Sequence, residues 1–117
     1  MAKLSTHVLD TASGKPAQGV QIELHQIKDG ALRPLTSGIT NADGRTNAPL
    51  LLGDRIEPGE YELTFLAADY FRKQGVPLTD PPFLDRVVVR FGISDPTANY
   101  HIPLLLSPYA YSTYRGS

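Results

Sequence analysis

The chain has 117 residues, of which 41% are hydrophobic and 20% are charged, and its formal net charge at pH 7 is −1. This length and composition are typical of one globular domain that buries its own hydrophobic core. A charge so close to zero argues against nucleic acid or an anionic membrane as a partner, because both require a basic surface.

Short runs with strand-like alternation, separated by turns rich in glycine and proline, predict an all-β protein. In the first clear run, Ile22 and Leu24 alternate with Glu23, as in a strand with one buried face. We predict about eight strands, at residues 3–10, 19–27, 32–39, 45–48, 60–67, 85–93, 99–106 and 109–116.

Turn sequences separate these strands in chain order. Residues 11–16 form a loop, residues 28–30 (Lys-Asp-Gly) a hairpin tip and residues 41–44 (Asn-Ala-Asp-Gly) a tight turn. Residues 58–59 (Pro-Gly) precede the fifth strand, and the proline in 107–108 divides the last apolar run into two strands.

One short helix is predicted between the fifth and sixth strands. Asp69 is a suitable N-cap, and Tyr70 to Gln74 provide one or two turns. Gly75 fits the position after the helix, and Pro77 prevents its continuation. No repeat, heptad or low-complexity tract marks a boundary, so we expect a single domain over residues 1–117.

No segment approaches the roughly 20 apolar residues that a membrane helix needs. Strand-like sequence begins near Lys3, which leaves no room for the basic and apolar segments of a signal peptide. We therefore expect a cytoplasmic protein without a membrane partner, and a periplasmic one only if the chain is a processed form.

The three histidines differ in their positions on the predicted strands. His25 lies on the polar face of its strand, beside Glu23, and is best explained as a solvated surface residue. His7 shares a face with Ser5, and His101 lies opposite the core-facing side chains of its strand. Both His7 and His101 should therefore point away from the core, on strands that belong to one sheet.

The other chemically useful residues allow more than one interpretation. Arg45 follows the tight turn and is either a solvated charge or a clamp for an anion or carbonyl. The sequence has no cysteine, no histidine pair at ligand spacing, no phosphate-binding loop and no nucleophile elbow. We therefore expect neither a metal nor a cofactor.

The C-terminal tail (Tyr114, Arg115, Gly116 and Ser117) continues the most apolar strand-like run of the chain. Protein termini are usually disordered. A tail that is built into a sheet instead places its side chains, and a terminal carboxylate, at fixed positions. This arrangement is typical of a site whose geometry depends on the end of the chain.

Two segments near opposite ends of the chain form long motifs. They are residues 4–17 (LSTHVLDTASGKPA), and residues 100–109 (YHIPLLLSPY) with 114–117 (YRGS). Together they resemble the N-terminal and C-terminal signatures of one known family, the transthyretin-related 5-hydroxyisourate hydrolases. The resemblance extends over essentially the whole chain.

The resemblance implies a transthyretin-like β-sandwich of two four-stranded sheets with one short helix. It implies hydrolysis of the cyclic amide of 5-hydroxyisourate, a product of urate oxidation, to give 2-oxo-4-hydroxy-4-carboxy-5-ureidoimidazoline. It also implies a homotetramer with active-site clefts where dimers meet, and we expect the tail to meet the histidines across that interface. The family's catalytic residues fall on His7, Arg45 and His101, and its substrate-binding residues fall on Tyr114, Arg115, Gly116 and Ser117.

We expect metal-independent hydrolysis in which one of His7 and His101 is the general base and the other orients water or moves a proton. Which histidine is the base stays open, and Arg45 would stabilise the oxyanion.

One alternative is a carrier of an aromatic hormone, as in transthyretin, although the histidines, Arg45 and Tyr114 make such a channel polar and partly blocked. A second alternative is a structural sandwich module, which would not need the C-terminal tail.

Overall fold

The computed structural model describes residues 1–116, which form two β-sheets packed face to face with one short helix beside them. The elements in chain order are β1 (Lys3–Asp10), β2 (Lys15–Pro16), β3 (Gln21–Lys28), β4 (Ala31–Ile39), β5 (Leu51–Leu52), β6 (Gly59–Phe65), α1 (Ala67–Lys73), β7 (Val87–Ile93), β8 (Tyr100–Leu106) and β9 (Tyr111–Thr113). A 3-10 turn at Gly53–Arg55 follows β5. The predicted all-β sandwich with one short helix is confirmed.

The two sheets differ in strand direction. The β3 sheet has the order β4-β3-β6-β7, and all its neighbours are antiparallel. The β1 sheet has the order β2-β1-β8-β9, with β5 pairing to the start of β1. Its central pair, β1 and β8, is parallel. The short strand β5 gives this sheet five strands, where four were predicted.

The hydrophobic core lies between the sheets and is built from alternate residues of each strand. Ile22 and Leu24 of β3 and Leu63 and Phe65 of β6 are fully buried, as the period-two pattern predicts. Burying a side chain of this size contributes about 1.5–3 kcal/mol relative to leaving it in water. The facing core residues of the other sheet include Leu4, Val8, Ile102, Leu104 and Leu106.

The predicted hairpin between β3 and β4 is confirmed. Asp29 and Gly30 form its tip, with φ of 53° and 77°. Two consecutive residues with positive φ are characteristic of the type I′ turn, whose twist matches that of the flanking strands.

The segment predicted as a strand at 45–48 is irregular, so that prediction is wrong. Local hydrogen bonds compete with strand pairing there: the Thr46 hydroxyl donates to the Ala48 carbonyl, and Asn41 Nδ2 donates to Asn47 Oδ1 over 3.0 Å. Pairing with the β1 sheet begins only when the Leu50 amide donates to a carbonyl of β1. The predicted last strand is also shorter, because Ser107 and Ala110 close a turn before β9.

The helix begins earlier than predicted. Its first residue is Ala67, and the N-cap residue Leu66 makes no side-chain cap. Asp69 is therefore not the N-cap but lies in the first turn, where its carboxylate accepts a hydrogen bond from Arg72 over 3.2 Å. Ala67 is fully buried and has high helix propensity, which explains the earlier start.

A buried carboxylate joins the helix to the end of β1. Asp10 is only 4% exposed, and it accepts hydrogen bonds from the amides of Ala12 and Ser13 and from the Tyr70 hydroxyl at 2.8 Å. Burial and the hydrogen bond to Asp10 raise the pKa of Tyr70 well above its usual range, so the phenol stays a donor. This contact fixes α1 and the loop before β2 to the β1 sheet.

Candidate active site

The parallel pairing of β1 and β8 determines which side chains lie together on the outer face of the β1 sheet. Ser5 is directly opposite His101, and His7 is opposite Pro103. Their neighbours Leu4 and Thr6 on β1 are turned inward and are at most 1% exposed. His7 and His101 therefore lie on the outer face, as the alternation predicts.

A cleft of about 320 Å³ opens on this face. It is lined mainly by polar side chains from β1, the 41–45 turn, β8 and the C-terminal tail. The lining residues are Lys3, Ser5, Arg45, Asn99, Tyr100, His101, Tyr114 and Gly116. The cleft thus brings together four of the residues predicted from the sequence: Arg45, His101, Tyr114 and Gly116.

His101 is the histidine that faces the cleft. Its Nδ1 lies 2.9 Å from Ser5 Oγ, within hydrogen-bonding distance. Partial burial, followed by the Coulombic effects of Arg45, His7 and Lys3, holds the pKa of His101 below its usual value of 6.5. The imidazole is therefore neutral at pH 7 and retains a nitrogen lone pair that can accept a proton.

Arg45 reaches the cleft because of the tight turn that precedes it. Asn41 Oδ1 accepts hydrogen bonds from the amides of Asp43 and Arg45, and the Asn41 amide donates to the Arg45 carbonyl over 2.7 Å. Gly44 has a φ of 77°, and its carbonyl accepts a hydrogen bond from the Val8 amide. The turn is thereby attached to β1, with the exposed Arg45 side chain beside His101.

His7 lies behind this turn and is not among the residues that line the cleft. Its ring is half-buried against Gly44, where an added Cβ would lie 3.2 Å from His7 Cδ2. His7 is still close enough to His101 to lower the pKa of that residue. The structure thus gives the two histidines different surroundings.

The C-terminal tail reaches His101 of its own chain. The Gly116 amide donates to the His101 carbonyl over 2.7 Å. A Cβ at residue 116 would lie 2.7 Å from His101 Cδ2, so only glycine fits at this approach. The tail therefore meets His101 within one chain, and the contact expected across a subunit interface stays a prediction.

The other tail residues point in different directions. Tyr114 is 61% exposed and forms one side of the cleft. Arg115 turns away: its Cζ lies 4.3 Å above the Tyr100 ring, and its guanidinium donates to the Asn99 carbonyl over 3.3 Å. Ser117, which the resemblance places in the site, lies outside the described residues.

Sequence reasoning did not identify Ser5, Lys3 or Asn99 as residues of the cleft. Ser5 and Lys3 were visible as neighbours of His7 on one face of β1. Their proximity to His101 depends on the register between β1 and β8, which the sequence alone does not reveal.

Within residues 1–116, no three His, Asp or Glu side chains are grouped in a way that could hold a metal ion. In the same part of the chain, no helix is long and apolar enough to cross a membrane. The cleft offers a neutral imidazole, the cations Lys3 and Arg45, the Ser5 hydroxyl and backbone groups.

Comparison with known proteins identifies the family. The family model described as HIUase/Transthyretin matches residues 4–116. The 5-hydroxyisourate hydrolase of Pseudomonas aeruginosa is 51% identical over 117 residues, which is 100% of this chain and 93% of that protein.

Solved structures support the same assignment. The structure of Klebsiella pneumoniae 5-hydroxyisourate hydrolase has a TM-score of 0.82 and 34% identity, and each chain is covered completely. Sea bream transthyretin in complex with thyroxine has a TM-score of 0.87 and 29% identity, covering 98% of this chain and 95% of that one. These matches confirm the transthyretin-like sandwich, and with the family match over residues 4–116 they show that the chain belongs to the HIUase/Transthyretin family.

Proposed function

We propose that this chain hydrolyses 5-hydroxyisourate, opening its cyclic amide to give 2-oxo-4-hydroxy-4-carboxy-5-ureidoimidazoline. The observation that carries the proposal is the polar cleft in which a neutral His101 lies with Arg45 and the tail. Relatives named 5-hydroxyisourate hydrolase match this chain over its full length at 51% and 52% identity. The substrate is small and rich in carbonyl and amide groups, which suits a cleft of this polarity.

In this mechanism His101 is the general base. A water molecule in the cleft loses a proton to the imidazole, and the resulting hydroxide attacks the amide carbonyl carbon. The C–N bond of the ring then breaks, and the imidazolium returns the proton to the departing nitrogen. A positioned acid or base of this kind accelerates a reaction by roughly 10²–10⁴-fold.

Arg45 stabilises the negative charge that develops on the carbonyl oxygen. Its guanidinium is planar, permanently charged and held at the rim of the cleft by the 41–45 turn. His7, which packs against Gly44 of that turn, supports the position of Arg45. Tyr114 and Gly116, which line the cleft, would enclose the substrate.

We propose that the reaction is metal-independent. The water is activated by an imidazole whose pKa is already lowered, so the mechanism has no step that a metal must perform. Unchanged turnover after exhaustive treatment with a chelator is the expected result. Loss of turnover that added zinc restores would contradict this part of the proposal.

The homotetramer implied by the family is part of the proposal. In one chain the cleft is open to solvent on the outer face of the β1 sheet, whereas sites for small ligands are usually enclosed. A second dimer placed face to face across a two-fold axis would supply the missing wall. The active sites would then lie at the interface between dimers.

The direct test follows the ultraviolet decay of freshly prepared 5-hydroxyisourate with and without the protein. We expect the protein to accelerate the decay and His101→Ala to lose roughly 10²–10⁴-fold of that acceleration. His25→Ala, on the β3 sheet, is the matched control and should keep full activity. Equal decay with and without the wild-type protein would overturn the proposal.

A carrier function is the second candidate, because the fold is shared with a transthyretin solved in complex with thyroxine. The cations Lys3 and Arg45 in the cleft, together with the bulky Tyr114, disfavour an aromatic hormone there. Calorimetric titration with thyroxine is expected to show no binding in the micromolar range. Tight binding without hydrolase activity would favour the carrier.

A further inference from the structure

We propose that Ser5 is a positioning residue for the reaction, one that holds the His101 ring so that Nε2 faces the reacting water. This inference rests on the proposed hydrolase function. It also assigns the tautomer: Nδ1 carries the proton and donates to Ser5 Oγ, while Nε2 keeps the lone pair.

The geometry of the sheet supplies the first part of the argument. Ser5 and His101 are register partners on neighbouring parallel strands, and the Oγ–Nδ1 distance is 2.9 Å. The next pair along the ladder is also joined by a side chain, since the Thr6 hydroxyl donates to the Ile102 carbonyl over 2.7 Å. Because these strands are fixed to each other, Ser5 presents its hydroxyl at a constant place beside the ring.

The tail confines the ring from another side. Gly116 approaches so closely that a Cβ there would lie 2.7 Å from His101 Cδ2. The backbone hydrogen bond from Gly116 to His101 holds this approach in place. With Ser5 bonded to Nδ1 and Gly116 against Cδ2, a turn of the ring would break the first contact or clash with the second.

The chemistry of imidazole supplies the remaining part. A neutral imidazole has one N–H and one lone pair, and the hydrogen bond at one nitrogen decides the role of the other. When Nδ1–H donates to Ser5, the lone pair of Nε2 is available to take a proton from water. During turnover the proton on Nδ1 stays in place, and Nε2 alone gains a proton from water and returns it to the departing nitrogen.

The first test needs no substrate. Nitrogen-15 NMR of the His101 ring in the wild-type protein is expected to show protonation at Nδ1 at neutral pH. In Ser5→Ala, which removes the hydroxyl, we expect a mixture of tautomers, and in Ser5→Thr, which keeps a hydroxyl, the wild-type tautomer. A proton on Nε2 in the wild type, or an unchanged tautomer in Ser5→Ala, would overturn the inference.

The second test uses the decay of 5-hydroxyisourate. Because misplacement of a catalytic group by about 1 Å can cost roughly 10²-fold, Ser5→Ala should lower kcat by about 10–100-fold and leave KM nearly unchanged. Ser5→Thr should recover most of the loss. Ser37→Ala on β4 of the β3 sheet is the matched control and should behave as wild type.

The two proposals fail in different ways. An inactive wild-type protein would refute the hydrolase function, while the NMR experiment would still decide whether Ser5 fixes the ring. Full activity in Ser5→Ala, with an active wild type, would refute the role of Ser5 and leave the hydrolase function standing.

Discussion

At the scale of single residues, His101 is distinguished by its basic neighbours. Arg45, His7 and Lys3 all act to lower its pKa, in addition to partial burial. Since each of these neighbours disfavours the imidazolium, the free protein holds His101 as a neutral base. The imidazolium becomes favourable only when negative charge develops on the substrate beside it, which is the condition of the transition state.

The pH dependence of kcat/KM should reflect this environment. A base is active when neutral, so activity should fall as the pH drops through the pKa of His101, and the midpoint of this acid limb should lie below 6.5. Lys3→Gln removes one of the charges that lower this pKa, so the acid limb should move to higher pH. The measurement is kcat/KM between pH 4.5 and 8, and an acid limb in Lys3→Gln that moves to lower pH would contradict the assignment.

Gly116→Ala tests the close approach of the tail. The added methyl would lie 2.7 Å from His101 Cδ2, so either the ring or the tail must shift. We expect activity to fall by about 10–100-fold, because a misplacement of about 1 Å at the reacting groups can cost 10²-fold. Gly92→Ala is the matched control, since its Cβ would meet nothing closer than a carbonyl oxygen at 3.9 Å. Equal activity in both variants would show that the close contact of Gly116 with the His101 ring is unimportant for catalysis.

Some side-chain positions in the candidate site could be predicted from the sequence, and others could not. The outward direction of His7 and His101 follows from the period-two alternation of buried neighbours. The contact between Ser5 and His101 joins residues 96 positions apart, so no local sequence pattern can predict the register of β1 and β8 that creates it. The direction of the Arg115 side chain could not be predicted either, because its packing on Tyr100 depends on the path of the tail after β9.

At the scale of elements, strands with long alternation were predicted well, β1 with both its ends, whereas the segments at 45–48 and 109–116 were not. Residues 45–48 look strand-like, but Thr46 and Asn47 make local hydrogen bonds instead. The helix between β6 and β7 was recognised from Gly75 and Pro77 at its end. Its start was misplaced because the buried Ala67 extends it by packing, and not by capping.

The contact between α1 and β1 should contribute measurably to the free energy of unfolding. Tyr70→Phe removes the hydroxyl that donates to the buried Asp10 carboxylate, at an expected cost of about 1–3 kcal/mol. Since the pKa of Tyr70 is raised above the value of 10.0 for an unperturbed tyrosine, this stabilisation should be complete below pH 10 and decline as the pH rises further.

Urea unfolding at a fixed protein concentration provides the measurement for Tyr70→Phe. Tyr109→Phe is the matched control: Tyr109 is 62% exposed, and loss of its hydroxyl should change the free energy of unfolding by at most about 0.5 kcal/mol. A Tyr70→Phe protein as stable as this control would show that the buried hydrogen bond contributes nothing net.

The C-terminal tail should matter more for activity than for stability. Its described residues contribute little to the core, since Tyr114 and Arg115 are exposed. Deletion of residues 114–117 should therefore abolish most activity and shift the urea midpoint only slightly. Full activity in the truncated protein would show that the tail is not part of the site.

At the scale of the whole molecule, the cleft of one chain is open to solvent. We propose that a second dimer closes it in the tetramer. Sedimentation should give about four times the 12.8 kDa mass of one chain. Dilution that dissociates the assembly should lower the specific activity, although His101, Arg45 and Gly116 already meet within each chain. An active monomer would show that one chain encloses the substrate by itself. The cytoplasmic location expected from the sequence stays a prediction.

The parallel pairing of β1 with β8 has a consequence for how the protein is made. The strand that carries Ser5 and His7 leaves the ribosome nearly one hundred residues before its partner. During that interval β1 has no β8 to join, and folds dominated by such distant pairings form slowly. Translation that stops before His101 would yield chains with no base, no tail and a β1 strand whose edge toward β8 is unpaired. Interrupted synthesis should therefore produce aggregation-prone fragments and no partly active enzyme.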